Sequence, residues 1–162
     1  MIVVSNATPL IGLAMADRFD LLPKLFDQIY IPQSVYEEVV LEGEKRFGAA
    51  EVQEASGIET VQVKDRLAVE VLEDELGRGE SETIVLAGEM SADWVLVDER
   101  LARRKLDSLG IRTIGTLGIL LKAKELGLLP TIKPDVEKLR TRGFRLSRRL
   151  YEDVLRLAGE AE

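Results

Sequence analysis

The sequence predicts an α/β protein with a parallel β-sheet flanked by α-helices on both faces. Three observations carry this. Ile2-Val3-Val4-Ser5 and Trp94-Val95-Leu96-Val97 are short runs without alternation, the pattern of strands covered on both faces. Helical stretches separate the strand candidates, so successive strands are joined by crossovers and run parallel. The length of 162 residues suits one domain, expected over 1–162, and 46% hydrophobic with 31% charged residues is ordinary for a globular chain.

The elements follow in order. Asn6 ends the first strand, and Thr8-Pro9 then opens a helix, Thr as N-cap and Pro as first helical residue, with Leu10, Leu13 and Ala14 inward. Phe19 to Phe26 reads as a short helix and Gln28 to Ile31 as a second strand. Pro32 is placed to start a helix with Val35, Val39 and Val40 inward and Glu37 and Glu38 along it. Gly43 to Gly48 is a polar break before a helix from Ala49 to Ala55. Ile58 to Val63 alternates as a strand does, and Lys64 to Leu76 reads as a charged helix. The stretch from Gly77 to Ile111 reads as helix, strand, helix. Arg112 to Ile114 is a last strand, and the helix after it ends at Gly127, a C-cap residue. Two further helices are expected within 134–159, the last over Leu146 to Ala158.

There is no cysteine and no histidine. Disulfides, thiol nucleophiles, cysteine- or histidine-ligated zinc and histidine bases are thereby excluded. Acid–base or metal chemistry must come from carboxylates, lysine, tyrosine or serine, and hard oxygen ligands suit Mg²⁺ or Mn²⁺. No apolar run is long enough to cross a membrane as a helix, and the N-terminus reads as a strand instead of a signal peptide. We therefore expect a cytoplasmic protein with no membrane partner. The net charge of −7 argues against a general nucleic-acid binder, but the charge is unevenly spread.

Asn6 and Asp98-Glu99 follow strand candidates, where open α/β sheets bind ligands. Glu38 lies in the helix after the second strand, and Glu80 and Glu82 open the central helix. Should the first and fourth strands be neighbours, these groups converge at one sheet edge. Clustered carboxylates repel each other and call for a cation. Around Mg²⁺ they would make a site for phosphodiester hydrolysis. Each residue also has a plainer role. Glu80 and Glu82 complement the positive end of a helix, and two positions apart, roughly 200° around it, both cannot face one site. Asp98 suits the N-cap of the following helix.

Several segments resemble a PIN-domain protein, and most closely a prokaryotic subfamily allied to VapC-type toxins. They are VVSNATPLIGLA, IPQSVYEEVV, GRGESETIVLA, VLVDERLARRKLDSLGI and GTLGILLKAKELGLL, in the family's order over residues 2–129, with GFRLSRRLYEDVLRLAGE as a similar ending. The resemblance implies a PIN-like fold and a Mg²⁺- or Mn²⁺-dependent endoribonuclease. It places the family's acids at Asn6, Glu38, Glu82 with Glu80 beside it, and Asp98 or Glu99. Asn6, Glu38, Glu82 and Asp98 would then be catalytic, with Glu38, Glu82, Asp98, Glu80 and Glu99 as candidate metal ligands. Position 6 departs from the pattern, which has Asp there. An amide oxygen without charge weakens the affinity for a hard cation. The resemblance also implies a homodimer and a small antitoxin partner. The alternative is a PIN fold that has lost catalysis and binds RNA or a protein.

Two basic clusters oppose the acidic average. Arg100, Arg103, Arg104 and Lys105 follow the last acids, and Lys138, Arg140, Arg142, Arg145, Arg148 and Arg149 lie near the C-terminus. Beside an acidic site, Arg103, Arg104 and Arg145 would hold RNA phosphates. Their plainer role is a solvated helix face.

Overall fold

The structure is a computed structural model and describes residues 1–43 and 46–161. Five strands form one sheet: β1 (Val3–Ser5), β2 (Ile29–Pro32), β3 (Ile58–Val61), β4 (Trp94–Leu96) and β5 (Arg112–Ile114). Their order is β3-β2-β1-β4-β5, and every pair is parallel. β1 and β4 are neighbours, with Val3 opposite Trp94 and Ser5 opposite Leu96. The sheet grows one way from β1 to β3 and the other way from β4 to β5. The crevice beyond the carboxyl ends of β1 and β4 is therefore the topological switch point.

The helices are α1 (Ala7–Met15), α2 (Leu21–Leu25), α3 (Gln33–Tyr36), α4 (Ala49–Glu54), α5 (Arg66–Leu72), α6 (Arg78–Met90), α7 (Arg100–Ser108), α8 (Thr116–Glu125), α9 (Lys133–Thr141) and α10 (Arg148–Leu157). They cover both faces of the sheet because successive strand residues point to opposite sides. Val3 and Leu96 join Leu10, Leu13, Ile119 and Leu120 in one core. Val4 and Val95 join Ile84, Leu86 and Leu106 in the other. Val4, Val95 and Leu96 are wholly excluded from water. Each such side chain contributes about 1.5–3 kcal/mol of burial. This explains the absence of alternation in both strand sequences.

Several boundaries differ from the sequence reading, each for a local reason. α1 starts at Ala7 with Asn6 in the N-cap position, so Thr8-Pro9 lies inside its first turn. α5 covers only Arg66–Leu72, not Lys64 to Leu76; Asp65 accepts from the Ala68 N–H and fixes its start. β3 ends at Val61, although Val63 is buried beyond it. The last helix begins at Arg148, where the Ser147 hydroxyl accepts from the Leu150 N–H. Residues 44 and 45 of the expected polar break lie outside the described residues. Gly127 does close α8, with φ +79° and the Leu128 N–H returning to Ala123 O.

One difference bears on function. The helix after β2 changes at Glu37 into a π-helical turn, Glu37–Leu41. The wider turn carries an extra residue, a form common at functional sites. Glu38 sits in it. No helix among the described residues is long and apolar enough to cross a membrane.

Candidate active site

The Asn6 backbone N–H donates to Leu96 O at 2.9 Å, which joins the end of β1 to β4. Its side chain does not cap α1 and turns instead into the protein, where the residue is 1% exposed. Its amide donates to Glu80 Oε2 at 3.3 Å. The Thr83 hydroxyl approaches Asn6 Oδ1 at 3.5 Å but lies 2.7 Å from Gly79 O. A hydroxyl has one proton, and the shorter contact takes it. Asn6 Oδ1 thus retains its capacity as an acceptor.

Gly79 completes this corner. A Cβ there would lie 3.2 Å from Glu38 Oε1 and 3.4 Å from Asn6 Oδ1. The missing side chain leaves a cradle faced by two oxygens. Desolvation, then the Glu80 and Glu42 carboxylates, hold the Glu38 carboxyl above the usual range, while the residue itself still reaches solvent. Glu38, Glu80 and Arg78 line one cavity of about 290 Å³.

Glu82 faces elsewhere. It is 2% exposed, and its Oε1 accepts from the Ser34 N–H at 3.1 Å. Its Oε2 accepts from Arg66 Nη1 at 2.8 Å and lies 3.7 Å from Arg78 Nε. Burial pushes its pKa up, but the surrounding donors, with the Ser34 N–H and Arg66 bonded to its oxygens, outweigh it and leave the carboxyl below its ordinary value. The two-residue spacing of Glu80 and Glu82 separates their directions, and the one that meets Asn6 is Glu80.

Asp98 lies at the carboxyl end of β4, as the sequence places it, but both its oxygens are engaged. Oδ1 accepts from the Thr116 N–H at 2.9 Å and Oδ2 from the Thr116 hydroxyl at 2.7 Å. It therefore caps the start of α8, not the helix that follows it. Desolvation raises its pKa against the bonds from Thr116 and the charge of Arg103. Gly115 is required here, since a Cβ would come within 2.5 Å of Asp98 Oδ1. The helix after Asp98 is capped by Glu99, which accepts from the Ala102 N–H at 2.6 Å.

Asp98, Glu99, Arg103, Phe144 and Arg145 line a second cavity, of about 680 Å³. Arg103 and Arg145 are thus brought together from α7 and from the loop after α9, although 42 positions separate them (145 less 103). Arg104 is exposed on α7. Sequence reasoning missed Thr83, Thr116, Gly79 and Arg78. Thr116 had a readable signal: it follows β5, so it belongs to the same sheet edge. Arg78 and Gly79 lie inside the GRGE segment.

Among the described residues, no three carboxylates stand close enough to hold a metal ion by themselves. The chemistry of the corner still fits a hard divalent cation. It offers the Glu38 carboxylate, whose proton affinity is raised by burial and by the charge of Glu80, the Glu80 carboxylate itself, a buried amide oxygen, and the open cradle at Gly79.

The fold and this corner define an α/β protein with an acidic carboxyl edge at its switch point. The chain belongs to the PIN-domain family: a family described as a PIN domain matches residues 2–160. Such domains are generally nucleases and typically depend on a divalent metal. Among solved structures, it is similar to a PilT N-terminus domain protein from the archaeon Sulfolobus solfataricus P2. The identity is 17%, covering 76% of this chain and 93% of that one, with a TM-score of 0.52, a likeness of fold. No curated protein matches it.

Proposed function

We propose that this protein is a Mg²⁺- or Mn²⁺-dependent endoribonuclease, with Glu38, Glu80 and Asn6 Oδ1 holding the cation at the carboxyl edge of β1. The observation that carries this reading is that Glu38 and Asn6 turn their oxygens to the cradle at Gly79 while the Asn6 amide holds Glu80 beside them. A cation held there supplies charge neutralisation for a phosphate and a more acidic water. Asp98, fixed by Thr116, faces the neighbouring cavity and orients the substrate side of the edge. Arg103 and Arg145 in that cavity hold RNA phosphates, with Arg104 as an outer contact. Glu82 and Glu99, already engaged by Ser34, Arg66 and Ala102, support the backbone around the ligands. Metal-dependent cleavage of a labelled RNA, lost in Glu38→Gln and Glu80→Gln but present in Glu99→Gln, tests the assignment.

A second reading has its own observation. The Asn6 amide already gives Glu80 a hydrogen bond that an aspartate could not. This favours a module of weakened catalysis that binds RNA or a protein. Calorimetry with Mn²⁺ separates the readings: a dead corner binds the ion no better than a surface acid. The sequence resemblance to VapC-type toxins supports a cytoplasmic homodimer with a small antitoxin. Light scattering and co-expression with the neighbouring reading frame test both points.

A further inference from the structure

We infer that Arg66 and Arg78 form a phosphate clamp that holds a polynucleotide strand beside the Glu38–Glu80 corner. The inference rests on the RNA reading above. Its starting point is the position of Glu82. A carboxylate that is 2% exposed anchors two guanidinium groups through one oxygen: Arg66 Nη1 at 2.8 Å and Arg78 Nε at 3.7 Å from Oε2. Both arginines are more than half exposed, at 53% and 57% of their side chains. The anchor is inside the protein and the forks are outside it.

The donors of these forks are mostly unused. An arginine carries five N–H donors in a rigid plane. Among the described residues the Arg66 guanidinium donates one hydrogen bond and the Arg78 guanidinium none. Glu37 Oε2 stands 3.6 Å from Arg78 Nη1, beyond a good hydrogen bond. Arg78 also lines the same cavity as Glu38 and Glu80. A strand of RNA approaching that cavity meets Glu37, Glu38, Glu42 and Glu80, and their charge repels phosphate. Two guanidinium forks at its border supply the opposite charge in the geometry that matches phosphate oxygens.

Topology places the clamp usefully. Arg66 follows β3 and Arg78 opens α6, on one side of Asn6. Arg103 and Arg145 stand on the other side, toward β4 and β5. A strand held at both positions crosses the carboxyl edge over the Asn6–Glu80 corner. The sequence gives no hint of this, because Arg66 and Arg78 sit in a segment rich in Glu and Asp.

The test measures binding of a short fluorescent 2′-O-methyl oligoribonucleotide in EDTA, by anisotropy over a range of salt. The probe cannot be cut, so activity does not enter. In R66A/R78A the affinity should fall at least tenfold and the log–log salt slope should drop by about 1.4, about 0.7 for each phosphate contact of a single strand. R66K/R78K should keep the slope but lose several-fold in affinity, since lysine keeps the charge and loses the fork. Removing both arginines leaves Glu82 buried and unpaired, so R66A/R78A/E82Q provides a neutral version for which the same loss is expected. E82Q alone retains both arginine charges, so the slope should stay at the wild-type value while the affinity falls only several-fold as the anchor loosens. An unchanged slope in R66A/R78A or in the triple variant, with wild-type binding intact, overturns the clamp and leaves the RNA reading standing. A loss in E82Q as large as in R66A/R78A also overturns it, because the arginines would then act only through the fold. Absence of binding by the wild-type protein overturns both.

Discussion

The amide of Asn6 donates to Glu80 Oε2 at 3.3 Å, at the end of the central strand. A carboxylate at position 6 would face Glu80 with like charge and no proton between them. The asparagine therefore quiets a corner that an aspartate would leave dependent on a cation. Two consequences can be measured. Without metal, Asn6→Asp should lower stability by about 1–2 kcal/mol, from the lost hydrogen bond and the new repulsion. With Mn²⁺, the same variant should bind the ion about tenfold more tightly, a gain of about 1.4 kcal/mol. Thermal shift in EDTA and in Mn²⁺ reads both. Equal metal affinities for the two proteins would remove residue 6 from the ligand set.

Glu80 and Glu82 should behave differently on substitution. Glu80→Gln should abolish metal-dependent cleavage with little loss of stability, since Gln can still accept from Asn6. Glu82→Gln should cost about 2 kcal/mol at neutral pH, because charged hydrogen bonds from Arg66 and Ser34 become weaker. For a chain of this size that lowers Tm by about 4–8 °C.

The Glu82 difference should also depend on pH. Its folded pKa is depressed, so its stabilisation is fully present above the unfolded value, about 4.3 for a free glutamate. It is lost as pH falls through the lower folded value. The gap between wild type and E82Q, measured by denaturant titration, should narrow steadily below about pH 4.3. A gap independent of pH would mean that Glu82 is not ionised in the folded protein.

Asp98 carries the opposite sign. Desolvation raises its folded pKa, so ionised Asp98 opposes folding as pH rises through the unfolded and then the folded value. Asp98→Asn keeps an acceptor for the Thr116 N–H and removes the buried charge. It should be at least as stable as wild type at pH 7, yet lose RNA cleavage. A strongly destabilised D98N would show that the charge itself holds the start of α8. Thr116→Val should cost about 1 kcal/mol through the lost hydroxyl bond.

Two glycines make a contrasting pair. Gly115→Ala brings a Cβ to within 2.5 Å of Asp98 Oδ1 and 3.1 Å of Arg103 Nη1, so one of them must move. A cost of about 1–3 kcal/mol and a loss of activity are expected. Gly88, within α6, has nothing within 4 Å of a Cβ. Gly88→Ala should stabilise by about 0.4–1 kcal/mol without touching activity. Chemical denaturation of the two variants checks the difference.

The sequence by itself determined the sheet and the edge on which the candidate site lies. Val4, Val95 and Leu96 are apolar without alternation because helices cover both faces, and that pattern is local enough to read. It also placed Asn6 and Asp98 just past strands, and parallel strands put their carboxyl ends on one edge. The choice between Glu80 and Glu82 was not legible. It depends on which side of α6 faces β1 and which faces the start of α3, a matter of helix rotation set by packing. The direction of Asp98 depended on Thr116, eighteen residues away and brought beside it only when β5 pairs with β4. The π-helical turn that carries Glu38 left no periodic mark, since one extra residue does not disturb the inward positions of Val35 and Val39. Strand and helix periods are properties of neighbours in the chain. The aim of a single carboxylate is decided by the groups that solvate it, and in this protein those groups arrive from distant segments.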